Sequence, residues 1–436
     1  MININRFTHY IFGARDKNGI GMGLIFSIGG LFFPIVALWN SLAVVPFIAI
    51  IALCAVGLII RRDLIKSLLK WDFWLIIGLC GFLLATIHGA FHVPNTNDAI
   101  VSSIKVFANT LLAISLFFAA TFLTRQEAMA AARGVTIGTV FVGAFLLCDV
   151  LSNGVLSFFF TNMTVTTLYK FFWFKSASAT FAICSLISGF YLVLNKQYWS
   201  AAFLIAVSIF VQIEIGNRTA GGGLLVALVC GLGYHLLGQI RKIILTTIVI
   251  LLFLAPSYIL FTGFSAEKIS HFINVRTSAT ISLVYRMYAW EFVLNRISER
   301  PVIGWGLDGS KEFGGESSLV ISDPIMGTLG EPVPSHPHNG VLEVWLELGI
   351  FGALSLLLLI SRGIKIFDSR CHYATTRIWT FSILTLLTCF YAFSFSAFSS
   401  AWIANITFTI AMTYPLSRFG DMVSTLKTNE QPTILT

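Results

Sequence analysis

Charged side chains are scarce in this chain. Asp, Glu, Lys and Arg make up 11% of its 436 residues, against about a quarter in an ordinary soluble domain. With 56% hydrophobic residues, a soluble globule of this size would have to expose a largely apolar surface, so that class is excluded. Cysteine is absent where a disulfide framework would need it. Cys54, Cys80, Cys148, Cys184, Cys230 and Cys389 fall in apolar stretches, Cys371 lies in a basic connection, and none lies between 263 and 337. Neither a disulfide nor a Cys-type metal spacing is expected. No internal repeat is visible. Gly304, Gly306 and Gly309 lack the strand–helix frame of a nucleotide loop. A cleavable leader is not expected either, because the basic start with Arg6, Arg15 and Lys17 runs into a segment that reads as a retained anchor.

What the chain has in abundance is apolar runs, with 40 Phe among them. A helix needs about 20 such residues to cross the ~30 Å hydrocarbon layer. The pattern predicts twelve spans: 20–39, 43–60, 72–90, 100–123, 134–154, 177–194, 199–215, 220–237, 243–262, 338–360, 377–395 and 399–416. The positive-inside bias orients them. Alternate connections carry Arg61 and Arg62, Arg125 and Arg133, Lys196, Arg241 and Lys242, then Arg362, Lys365 and Arg370, whereas 40–42, 91–99 and 396–398 carry no Lys or Arg. Both termini are expected on the cytoplasmic side and the long 263–337 connection outside. The domains expected are 1–262 with spans one to nine, the 263–337 loop with amphipathic helices, 338–416 with spans ten to twelve, and a cytoplasmic tail at 417–436. The net charge of +8 follows from this bias, and no nucleic-acid partner is expected.

Cations on the outer side stand out against that bias. Arg218 occurs in Glu214-Ile-Gly-Asn-Arg218-Thr-Ala-Gly, ahead of two further glycines. It either snorkels at the interface or clamps a phosphate with its planar fork of donors. Residues 279–298 space Ile281, Val284, Tyr285, Tyr288, Phe292 and Ile297 as an amphipathic helix on the membrane surface or packed over the bundle. Arg286 sits mid-helix beside Tyr285 and ahead of Trp290, and is the site candidate there; Arg276 and Arg296 read as headgroup or solvent contacts, with Arg276 a possible support. Pro301 should end that helix. Asp308, Glu312, Glu316 and Asp323 read as solvating groups of a mobile segment. The aromatic-rich 156–174 segment faces lipid or ligand.

The richest stretch is Ser335-His-Pro-His338-Asn-Gly, leading straight into Val341-Leu-Glu343-Val-Trp-Leu-Glu347-Leu-Gly349. Pro337 suits a first helical turn, which puts His338 in the opening turn of span ten. The positive end of a helix disfavours imidazolium, so the ring should stay neutral and serve as a general base. His336 could share that role. Glu343 and Glu347, four apart on one face, read as supports that orient a ring or bind backbone.

His338-Asn339-x-x-Leu342 followed by Glu347-Leu-Gly349, the Arg286…Trp290 helix running into Pro301-x-x-Gly304-x-Gly306, and Asn217-Arg218-Thr219 before a Gly run resemble the O-antigen ligase/polymerase superfamily, over about 214–360. The resemblance implies an all-α, GT-C-like polytopic membrane protein with a large helical periplasmic loop. It also implies a glycosyltransferase without metal or cofactor in a bacterial inner membrane. Its donor would be a polysaccharide on undecaprenyl diphosphate and its acceptor the lipid A-core, with the active site on the periplasmic face. By this resemblance His338 deprotonates the acceptor hydroxyl and Arg218 and Arg286 bind the donor diphosphate; Arg276, His336, Asn339 and Glu343 are the candidate supports. An O-antigen polymerase or a protein O-oligosaccharyltransferase would use the same chemistry. A lipid-linked-sugar transporter fits less well, because carriers of that size show a repeat and a long cytoplasmic connection.

Overall fold

The computed structural model describes residues 21–59, 72–91, 96–156, 174–238, 240–263, 265–270, 278–309, 313, 321–323, 327–330, 336–394 and 396–419. The helices are α1 Met22–Trp39, α2 Val44–Ile59, α3 Phe73–Ala90, α4 Thr96–Thr121, α5 Arg125–Leu151, α6 Phe174–Leu194, α7 Tyr198–Ile215, α8 Arg218–Leu236, α9 Arg241–Thr262, α10 Ser278–Glu299, α11 Gly340–Asp368, α12 Ala374–Phe393 and α13 Ser400–Phe419. Every expected span coincides with one of them, and α10 is the helix expected within the long connection. Among the described residues, nine helices are long and apolar enough to cross a membrane, and Phe73–Gly89 is a shorter apolar one. The chain is therefore an all-α polytopic membrane protein; among the described residues it carries one small hairpin, β1 Ile321–Asp323 antiparallel to β2 Gly327–Gly330. The aromatic segment at 157–173 lies outside the described residues.

In lipid the hydrophobic effect no longer draws helices together, so close packing of small residues and interhelical hydrogen bonds must do so. Both are present. A methyl group on Gly134 or Gly138 of α5 would run into the α1 backbone at Ser27 and Leu31, and one on Gly231 of α8 would strike Ser382 of α12. Polar ties cross the same apolar interior: Thr180 Oγ1 donates to Asn405 Oδ1 at 2.9 Å, and Asn109 Nδ2 to Ser400 Oγ at 2.8 Å. At the start of α5, Thr124 and Glu127 form a reciprocal capping box. Glu127 Oε1 also accepts Gly23 N at 3.1 Å, which ties the beginning of α1 to the same corner.

α10 packs over the bundle against α9 and α11. Its buried side chains are Val284, Met287, Ala289, Val293, Leu294 and Ile297. The buried stripe is thus turned from the expected one: Tyr285, Tyr288 and Phe292 are only half-buried, because the helix meets protein on its Val293/Leu294 side. Val293, Leu294 and Ile297 join Val341, Val344 and Trp345 of α11 and Phe253 of α9 in one cluster. Trp345 Nε1 donates to Phe253 O at 2.9 Å within it. This cluster fixes the start of α11 against α10, and the candidate site sits where they meet.

Candidate active site

The beginning of α11 is set by Asn339. Its Oδ1 accepts Val341 N at 3.0 Å and Leu342 N at 3.1 Å, satisfying two of the helix's orphan donors. Asn339 is therefore the N-cap and Gly340 the first helical residue. His338 is not in the opening turn, as the position of Pro337 suggested, but one residue ahead of the cap, with φ 53°. Capping by an Asn side chain is stronger than the preference of Pro for a first turn, so the helix starts later. Gly340 must be small because the Tyr391 ring lies where its Cβ would be.

The His338 ring faces the chain after α12. Its Nδ1 stands 3.5 Å from Ser394 O, the outer limit of a hydrogen bond. A carbonyl offers only lone pairs, so Nδ1 carries the proton in this contact and the Nε2 lone pair is left for chemistry. His336 lies edge-on to it, with ring centroids 4.3 Å apart. Burial, together with the nearby Arg286 charge, lowers the His338 pKa below the ordinary histidine value, against an upward pull from Ser394. Burial and then the neighbouring His338 hold His336 down at about 4. Both rings are neutral at pH 7.

Arg286 comes from the middle of α10. Its Nη1 donates to Phe393 O at 2.9 Å, one residue before Ser394. Burial lowers its pKa, but a guanidinium remains charged throughout the physiological range. Four residues on, Trp290 Nε1 donates to Pro337 O at 3.0 Å and holds the histidine segment beside the same helix. Arg286, His336 and His338 are thus brought together by α10, the approach to α11 and the end of α12.

Arg218 opens α8, capped by Asn217, whose Oδ1 accepts Ala220 N at 3.3 Å. Asn217 Nδ2 also donates to Lys175 O and to Ser178 Oγ, each at 3.0 Å, so α6 and α8 are joined at this corner. α8 and α12 run antiparallel: Gly231 abuts Ile378 and Ser382, and Gly223 abuts Leu386 and Cys389. Continuing that register, Arg218 lies about 7.5 Å beyond Gly223 at a 1.5 Å rise per residue. It therefore comes level with the end of α12, where Phe393 and Ser394 meet Arg286 and His338. Its side chain is exposed. Arg276 lies outside the described residues, and Arg296 pairs with Glu299 at 3.1 Å and covers Phe313. Among the described residues no three of His, Cys, Asp and Glu gather closely enough to hold a metal ion.

Residues 203–357, which include Arg218, Arg286, His336 and His338, match the O-antigen ligase family. A Rickettsia conorii protein provisionally named a polysaccharide ligase is 39% identical over 85 residues, 19% of this chain and 20% of its own length. One from Rickettsia typhi with the same provisional name is 24% identical over 270 residues, 62% of this chain and 64% of its own. This chain thus spans a fifth of the first relative and just under two thirds of the second. Together these matches support an O-antigen ligase family assignment.

Within the region that matches the O-antigen ligase family, two of the recognised motifs meet as one clasp. α11 breaks at Gly349, with φ 61° and ψ −160°, a conformation essentially restricted to glycine. The break exposes helix backbone, and 301–306 pairs with it. Trp305 N donates to Leu346 O at 2.7 Å, Gly306 N to Glu347 O at 2.8 Å, and Ile350 N to Pro301 O at 3.0 Å. A side chain on Gly304 or Gly349 would collide with the opposite backbone. Asp308, read from the sequence as a solvating group, instead accepts a bond from Ser102 Oγ of α4, and its own N–H donates to Glu347 Oε2 at 3.2 Å. A carboxylate brought beside α4 by the clasp finds a hydroxyl there and is only partly exposed. Sequence reading missed Ser394 altogether: its contribution is a main-chain carbonyl, for which side-chain chemistry gives no signal.

Proposed function

We propose that this protein is an O-antigen ligase-type glycosyltransferase. In this reading it transfers a polysaccharide from undecaprenyl diphosphate to a sugar hydroxyl of the lipid A-core, at the periplasmic face of a bacterial inner membrane. The observation that carries the proposal is His338: a neutral ring with Nδ1 toward a carbonyl and Nε2 left to accept a proton, next to the half-buried Arg286. In the reaction, the acceptor oxygen forms a bond to the anomeric carbon while the bond from that carbon to the diphosphate oxygen breaks. The hydroxyl proton passes to His338 Nε2, and the leaving diphosphate keeps the electron pair. Attack from the face opposite the leaving group inverts the anomeric centre. Arg286 and Arg218 hold the diphosphate and stabilise the charge that grows on it as the bond breaks. His336 and Asn339 support the base, the first by packing on its ring and the second by fixing where α11 begins.

Orientation supports the same side. Arg241, Lys242, Arg362 and Arg377 lie at the bundle end opposite His338, as the positive-inside bias requires of a cytoplasmic end.

The test supplies purified protein with undecaprenyl-diphosphate glycan and lipid A-core and follows the gel mobility of the lipid product. Wild type should transfer, and His338→Ala should lose about 10²- to 10⁴-fold in rate, the usual contribution of a general base. Lengthening of the lipid-linked glycan with no transfer to lipid A-core would make the protein a polymerase. Normal transfer by His338→Ala would remove the base from this scheme.

A further inference from the structure

Glu343 is nearly fully buried in the first turn of α11, at 3% exposure. A carboxylate there would be costly unless its oxygens were bonded. Both are: Ser396 Oγ donates to Oε1 at 2.7 Å and Ala397 N donates to Oε2 at 2.7 Å. These are short, charge-assisted bonds to the chain between α12 and α13. Two residues before Ser396 on that same chain lies Ser394, whose carbonyl meets His338 Nδ1. Phe393, one residue earlier still, supplies the carbonyl that holds Arg286. Ser394 still donates its N–H to Phe390 O at 3.0 Å, but α12 ends at Phe393 and with φ −144° the Ser394 carbonyl leaves the helical direction, so no bond of the helix fixes where that carbonyl points.

We propose that Glu343 is a positioning residue for the transfer reaction: by gripping Ser396 and Ala397 it aims the Ser394 carbonyl at His338 Nδ1 and so keeps the proton off Nε2. The inference rests on the reading of His338 as the base. It assigns Glu343 no contact with substrate. The same grip sets the Phe393 carbonyl, so one carboxylate registers both the base and a donor-binding arginine against the end of α12. The charged and titratable groups around the His338 ring are Arg286 from α10 and His336 from its own segment, with Glu343 and Tyr391 below at the start of α11 and the end of α12. Removing the grip should let Ser394 drift. Nδ1 would lose its acceptor, and the ring would turn among orientations that do not present Nε2.

The test compares Glu343→Leu, Glu343→Gln and Ser396→Ala with His338→Ala, with kcat normalised to folded protein by size-exclusion profile. Glu343→Leu removes both acceptors and should lower kcat roughly 10- to 100-fold, the scale of a small misplacement of a catalytic group. KM for the acceptor should stay near the wild-type value. Glu343→Gln can still accept from Ala397 N and donate to the Ser396 hydroxyl, so it should recover most of that loss. Ser396→Ala should give a smaller drop in kcat. The Ser394 contact raises the His338 pKa, so in Glu343→Leu the acid limb of the pH–rate profile should move to lower pH; a purely structural role would leave that limb in place.

A folded Glu343→Leu with wild-type kcat and an unmoved limb would overturn the proposal, as would a Gln variant no better than Leu. Should Glu343→Leu fail to fold, Ser396→Ala decides, and wild-type kcat with an unmoved limb in that variant overturns it too. Activity in His338→Ala would instead overturn the reading of the base.

Discussion

The two ends of this bundle treat their cations differently. At the end opposite His338, Asp368 is surrounded: Lys242 Nζ lies 2.8 Å from its Oδ2, Arg241 Nε 3.3 Å from its Oδ1, and Tyr234 donates to Oδ1 at 2.9 Å. Arg362 is paired with Asp72 at 3.0 Å, joining α11 to the start of α3. There Arg241, Lys242 and Arg362 are met by carboxylates that tie helices together, while Arg377 and Arg418 bond the main-chain carbonyls of Cys371, His372 and Thr121 at the bundle's edge. At the His338 end, the bond of Arg286 goes to a neutral carbonyl. A cation satisfied by a full opposite charge is structural, whereas one held by a carbonyl keeps most of its field for a ligand. The surrounding low dielectric increases the effect.

Exchanging arginine for lysine breaks the comparison most severely. A lysine keeps the charge but cannot present the planar fork that grips a phosphate through two bonds. Arg286→Lys and Arg218→Lys should each lose about 10²- to 10³-fold in transfer rate, the scale for removing one donor from a developing oxyanion. Expression should be kept. Full activity in either variant, measured with the purified protein and both substrates, would remove that residue from the diphosphate site.

The clasp at Gly349 is a second region on the His338 side, and it is structural. Gly349→Ala places a methyl against the Val302 carbonyl in a backbone conformation that alanine avoids. Strain of about 1–3 kcal/mol and overpacking of similar size point to a loss of roughly 2–5 kcal/mol. The thermal midpoint of the detergent-solubilised protein should fall accordingly. Activity should drop as well, because the clasp holds α10, with Arg286, against α11. A Gly349→Ala protein with an unchanged midpoint would mean that the break in α11 is not held by its loop.

The clasp shows what the sequence could and could not convey. Each expected span falls on a helix, and nine of those helices are long and apolar enough to cross a membrane among the described residues, because an apolar run of membrane length has few other uses; α10 was visible from its 3.6-residue period. His338 and Arg286 also stood out, as polar groups at a boundary where polarity is costly. What stayed hidden depends on backbone. Nothing in Glu347-Leu-Gly349 announces a helix that breaks to receive Pro301-x-x-Gly304-x-Gly306. Ser394 enters through its carbonyl, so its side chain carries no information. The start of α11 was placed two residues early, at 338 rather than at Gly340, because Pro337 and Asn339 both signal a helix start and only the geometry of the cap decides between them. Asp308 was misread because its partner, Ser102, is distant in sequence.

The opposite end supplies the contrasting variant. Asp368→Asn keeps the shape but removes the charge that Arg241 and Lys242 share, leaving a crowded pair of cations. The expected cost is about 1–3 kcal/mol, from hydrogen bonds to a charged group lost at a site of 5% side-chain exposure. A lower thermal midpoint with unchanged kcat is the outcome that keeps the two ends distinct. A fall in kcat per folded molecule would mean that the Asp368 cluster communicates with the site.

The smallest effect is in pH. His338 and His336 both have pKa values below that of an ordinary histidine, His336 at about 4. Between pH 8 and 6.5 the base is already neutral, so the transfer rate should be flat, and it should fall only below the ordinary histidine value. Stability should follow in the same direction. The unfolded chain takes up protons on these histidines near pH 6.5, while the folded chain does so only at lower pH. Acid therefore favours the unfolded state, progressively from about 6.5 toward 4. A midpoint that falls between pH 6.5 and 5.5 and is blunted in His336→Asn reports on the His338 end. A rate that already declines between pH 7.5 and 6.5 would place the pKa of the base at or above its ordinary value. Burial beside Arg286 would then no longer describe the environment of His338 during turnover.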